Sequence, residues 1–137
     1  MRSATCVGLI IALACACLGL CSCGNPSAKE VAQGFAKAMV MGDLQGAAEH
    51  WDYITYARKE NSDWDNIASS QRNLIIKKLA EDRAKELQYW RGYFPRGTKV
   101  TDVNERDDKA IAQLAGGRAE QINLIKIDDK WYVEKIE

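Results

Sequence analysis

Beyond position 23 the sequence has no cysteine. A domain built from that part has no disulfide, no thiolate metal site and no cysteine nucleophile, and its core alone must hold it together. His50 is the one histidine. A multi-histidine metal site and a histidine pair for proton transfer are thereby excluded. Neither sign of charge is in excess: 19 basic residues balance 19 acidic ones. No basic face is evident, which argues against a nucleic-acid partner. Long apolar runs are missing too. Val7 to Leu20 is about 14 residues, where roughly 20 are needed to cross a bilayer. There is no phosphate loop, because Gly116-Gly117 lacks the lysine and the following helix of one. We find no internal repeat, low-complexity tract or long linker.

The N-terminus has the three parts of an export signal. Met1-Arg2-Ser3 carries one positive side chain, Val7 to Leu20 is apolar, and Ser22 is small. Leu20-Cys21-Ser22-Cys23 resembles the lipobox of a bacterial lipoprotein signal peptide, which needs a bulky aliphatic residue at −3, a small residue at −1 and cysteine at +1. Cys21 is preceded by Leu20, which is too large, and Cys17 has only Ala14 at −3. Cys23 is therefore the expected lipidation site, with ordinary cleavage near Ala16 or Gly19 as the alternative. The expected organisation is a signal peptide over 1–22, a lipidated cysteine and short tether over 23–26, and one domain over 27–137. The cysteines at 6, 15, 17, 21 and 23 are all accounted for by this reading. The resemblance implies a bacterial cell-envelope lipoprotein held in the membrane by acyl chains on Cys23, palmitate among them. By similarity to the sorting rule of enteric bacteria, Gly24 favours the outer membrane over the inner, with the domain in the periplasm or at the surface.

The domain reads as helices followed by strands. Ser27-Ala28-Lys29-Glu30 is a capping box. Val31, Phe35, Ala38 and Met39 recur at helical spacing, and Gly42 suits a left-handed C-cap. Asp43 caps a second helix carrying Leu44, Ala47, Ala48 and Trp51. After a break at Asn61-Ser62-Asp63, a third helix is expected over about 65–90, with a stripe of Ile67, Leu74, Ile75, Leu79, Leu87 and Trp90 and a wet middle turn at Asp82 to Lys85. Strands are expected over 99–105, 110–115, 119–127 and 131–136. Their turns are at Arg106 to Lys109, Gly116-Gly117 and Asp128-Asp129, the glycine pair read as a two-residue hairpin. Ile122 and Leu124 have one parity and Ile125 and Ile127 the other, which predicts a bulge near Leu124. The fold class is α+β, with three helices packed on a curved four-stranded antiparallel sheet.

The opening helix Glu30 to Ala38 followed by Gly42-Asp43, the order of elements, and the ending Asp129-Lys130-Trp131-Tyr132-Val133 resemble small bacterial lipoproteins of the nuclear-transport-factor-2-like, cystatin-like cone superfamily, in its uncharacterised branch. That resemblance implies a sheet wrapped around a helix with a pocket at the open end. Superfamily members include isomerases, dehydratases, cyclases and binding modules, so fold does not select an activity.

The candidate chemical groups are His50, Asp52, Tyr53 and Tyr56, with Asp102 as a further carboxylate. His50 oriented by Asp52 would form an acid/base pair, but neighbours in a helix do not face each other. A carboxylate set against a tyrosine in the pocket is the arrangement the resemblance implies for the superfamily's enzymes. Asp107-Asp108 and Asp128-Asp129 lack the six to eight oxygens of a calcium site and read as turns. No cofactor and no metal are expected. The leading expectation is a non-enzymatic domain that binds a small apolar ligand or an envelope protein. The alternatives are an isomerase- or cyclase-like enzyme and an immunity-type envelope partner, a homodimer through the sheet being one arrangement.

Overall fold

A computed structural model describes residues 24–137. The expected signal peptide and Cys23 lie outside the described residues. Among the described residues no helix is long and apolar enough to cross a membrane.

The domain is α+β. Helices α1 (Ala28–Met41), α2 (Leu44–Glu49), α3 (Ile54–Glu60) and α4 (Ser69–Trp90) precede strands β1 (Lys99–Arg106), β2 (Lys109–Ala115), β3 (Gln121–Ile127) and β4 (Lys130–Ile136). Short 3-10 turns at Trp64–Asn66 and Arg91–Tyr93 flank α4. The sheet is a simple antiparallel meander, β1-β2-β3-β4. The helix expected over 65–90 is thus a 3-10 turn and then α4. The seven-residue α3 is an addition, too short to show a stripe in the sequence.

The caps are where the residue types put them. Ser27 Oγ accepts from the Glu30 amide, and Glu30 Oε2 accepts from the Ser27 amide. Gly42 ends α1 at φ 76°, and Asp43 Oδ1 accepts from Gly46 N to open α2. In the β3–β4 turn Asp128 and Asp129 both have positive φ, as a type I′ turn demands. The Gly116-Gly117 expectation needs correcting. A five-residue loop, 116–120, joins β2 to β3. Its glycines serve close approach: a Cβ on Gly116 would lie 2.5 Å from the Gly97 carbonyl oxygen, and one on Gly117 would lie 2.6 Å from Tyr93 O.

The ladder explains two irregular patterns. Between β3 and β4 the register shifts after Asn123, and the extra residue is Glu134 on β4. The bulge is at the expected rung but on the partner strand. β3 alternates without a break: Ile122 and Leu124 are buried, while Ile125 and Ile127 are half-buried on the opposite face. A second shift makes Thr101 the extra residue on β1. It brings Val100 and Val103, three apart, to the same core.

α1 packs across all four strands, and α2 lies between α1 and α4. Phe35, Met39, Leu87, Phe94, Ile122, Leu124 and Val133 are fully buried there. Each such side chain contributes about 1.5–3 kcal/mol through area removed from water. Phe35 meets Phe94 edge-on and Trp51 at a tilt, both with ring centroids 6.0 Å apart. These side chains fill the middle of the space between α1 and the inner sheet face, and a cleft of about 330 Å³ remains at the β1 edge, between Gln33, Lys37, Val40 and Met41 of α1 and Thr98 to Val100.

Candidate binding trough between α3 and α4

The segment after α2 is held by the edge of the sheet. At the β4 bulge, Val133 N donates to His50 O at 2.7 Å, and Asp52 N donates to Val133 O at 2.8 Å. Trp51 forms a one-residue parallel bridge to Val133. This stops α2 and aims the next turn of chain toward α4.

His50 is placed away from the other candidates. Its ring rests on α1 at Gly34, where a Cβ would lie 3.1 Å from both Cε1 and Nε2. Burial there lowers its pKa, opposed by the Glu49 carboxylate. Asp52, Tyr53 and Tyr56 do come together. With Leu79, Asp82, Arg83 and Glu86 they line a trough of about 340 Å³. Asp102 is exposed on β1, opposite Gln113, and takes no part.

Within the trough the chemistry is already committed. Asp52 Oδ1 accepts from Ile54 N at 2.9 Å and Thr55 N at 3.1 Å, so it is the cap of α3. Tyr53 is buried, and its hydroxyl donates to Ala48 O at 2.6 Å. Burial pushes its phenol far above the ordinary tyrosine range; Arg83 opposes that, and Glu86 and Glu49 reinforce it. It keeps its proton at any physiological pH. Tyr56 is 55% exposed. No nucleophile–base pair is assembled from these groups, because the imidazole points to α1.

Arg83 was not legible as a site residue. Its guanidinium lies 4.5 Å from the Trp51 ring centroid, and Nη1 pairs with Glu86. Its Nε is buried without a partner. The turn expected to be wet is in fact half-buried at Arg83 and Ala84. The signal was available in the spacing Ile76-Ala80-Arg83-Leu87, which the expected stripe replaced with Leu74 and Ile75. Those two are 69% and 41% exposed. Asp82 pairs with Lys85 at 3.1 Å. Asp52, Asp82 and Glu86 against Arg83 leave the trough acidic.

Beside it, sharing Tyr56 and Leu79, is a slot of about 120 Å³ completed by Ala57, Glu60, Asn61, Trp64 and Ile75, whose exposed lining atoms are apolar. Ligand pockets for small molecules usually have about 300–1,000 Å³. The slot is the size of one side chain. Slot and trough together present an apolar socket next to an acidic rim.

Comparison with known proteins adds little. No family model matches the sequence, and no curated protein matches it. Among solved structures, a Campylobacter jejuni protein described as an NTF2-like transpeptidase aligns over 75% of this chain and 93% of its own at 15% identity and a TM-score of 0.41. At that score the likeness decides nothing about activity.

Proposed function

We propose that this chain is a lipid-anchored bacterial envelope protein of the cone type, whose domain binds a partner protein and turns over no substrate. The carrying observation is the commitment of Asp52 and Tyr53 to the backbone: one caps α3, the other holds Ala48 O. A catalytic reading needs both free inside an apolar pocket. The partner surface is the trough and its slot. It takes a segment with one apolar side chain for the slot and a basic side chain for Asp52, Asp82 and Glu86. The slot's volume favours a side chain over a small apolar ligand. Anchoring through Cys23 is supported by the Leu20-Cys21-Ser22-Cys23 pattern and the absence of later cysteines. Gly24 supports the outer membrane.

Photocrosslinking in living cells tests this. A photoreactive residue at Tyr56 or Asp82 should give a discrete protein adduct, while one at Asp102 or Gln113 on the outer sheet face should not. Adducts from the sheet positions alone would move the interface to the immunity-type or homodimer surface. Turnover by a folded domain, abolished in Asp52→Asn, would restore the isomerase or cyclase reading.

A further inference from the structure

Asn25 fixes where the tether leaves the domain. Its Nδ2 donates to Asp129 O in the β3–β4 turn at 3.1 Å, and Ala28 just beyond is fully buried. Cys23 is two residues from Asn25, about 7 Å of extended chain. Any lipid on Cys23 therefore brings the membrane to the β3–β4 turn.

The same turn is tied to the α3–α4 corner. Asp128 accepts from Arg58 Nη2 at 2.9 Å, and Arg58 also forks onto Asp65. A cleft bordered by Asp128 and Lys130 is closed on its other side by Ser69, Arg72, Asn73 and Ile76. The first turns of α4 thus sit at the tether end of the domain. On those turns are Leu74 and Ile75, followed by exposed Lys77 and Lys78. Met41, Tyr89 and Ile111 are exposed singly, and Tyr56 shares the slot with Ile75. Single exposed apolar residues are ordinary. An adjacent aliphatic pair with lysines one turn on puts apolar side chains and cations together, the combination that a headgroup–acyl boundary accepts.

We propose that Leu74 and Ile75 enter the headgroup–acyl boundary of the membrane that holds the Cys23 lipid, with Lys77 and Lys78 at its phosphates. The domain then stands with the β3–β4 turn and the start of α4 toward the lipid and the Gly116-Gly117 loop away from it. The apolar slot, which includes Ile75, opens beside the bilayer, so its partner is reached at the membrane surface. This inference rests on lipidation of Cys23.

The test uses lipidated protein in vesicles containing anionic phospholipid. With lipid occupying the Cys23 sulfur, one introduced cysteine is the only free thiol of the mature chain, and it carries an environment-sensitive fluorophore. The variants are Leu74→Cys, Ile75→Cys, Arg118→Cys and Glu120→Cys, all at exposed positions where folding is not at risk. Labels at 74 and 75 should shift their emission to the blue and lose quenching by iodide, while those at 118 and 120 stay quenched. Equal quenching at all four, in protein whose mass includes the acyl chains, overturns the orientation. Shielding at 74 that fades as the lipid-to-protein ratio rises marks a second copy of the chain and overturns it too. A mass without acyl chains overturns the anchoring itself, and with it the orientation.

Discussion

Asp52 separates a structural from a catalytic account in one pair of variants. Its Oδ1 satisfies two first-turn amides of α3, Ile54 N at 2.9 Å and Thr55 N at 3.1 Å. α3 is seven residues long, and a helix that short does not persist on its own. Asp52→Ala leaves both amides without a side-chain acceptor, which costs about 1 kcal/mol, within a range of roughly 0.5–2. Asp52→Asn keeps an acceptor oxygen in place and should cost a few tenths of a kcal/mol at most. Urea unfolding followed by tryptophan fluorescence measures this, since Trp51 and Trp64 flank α3. With a slope of about 1–3 kcal/mol per molar urea, the alanine variant's midpoint should fall by about 0.5 M while that of the asparagine variant stays near wild type. Equal losses in the two variants, or no loss in the alanine variant, would refute the capping role.

Three further outcomes are expected. Phe35→Ala removes a fully buried ring that contacts Trp51 and Phe94 and should destabilise by about 3–5 kcal/mol in the same assay. Burial holds the folded pKa of His50 below the ordinary imidazole value of 6.5. Its stabilisation is complete above 6.5 and is lost as pH falls through the folded pKa; His50→Gln should flatten the acid slope of the urea midpoint, and nuclear magnetic resonance titration should place the imidazole below 6.5. Gly116→Ala would place a Cβ 2.5 Å from Gly97 O at a φ of 88° and should cost about 1–3 kcal/mol, read as a fall in thermal midpoint.

Much of the fold was legible because its signals are local. The capping box at Ser27, the left-handed Gly42 and the Asp128-Asp129 turn each depend on residues within one turn of one another. The buried face of α4 is not legible from its large apolar residues, because small ones carry much of it. Ala80 and Ala84 belong to the same core as the α2 alanines, and Leu74 and Ile75 are exposed. The Gly116-Gly117 loop misled because its reason is non-local: the Tyr93–Thr98 segment passes over it. The grouping of Asp52, Tyr53 and Tyr56 was legible from spacing. Their neighbours Arg83 and Glu86 were not, since only the β4 bulge, through Val133, sets where residues 50–52 meet α4.

The central proposal is that a lipidated Cys23 holds this small domain against a membrane. The intact mass of the mature protein extracted from membranes tests that directly. The expected result is a chain that starts at Cys23 and carries acyl chains, and Cys23→Ser should abolish both the added mass and membrane retention. A mature chain that starts elsewhere, or an unmodified Cys23, would contradict it.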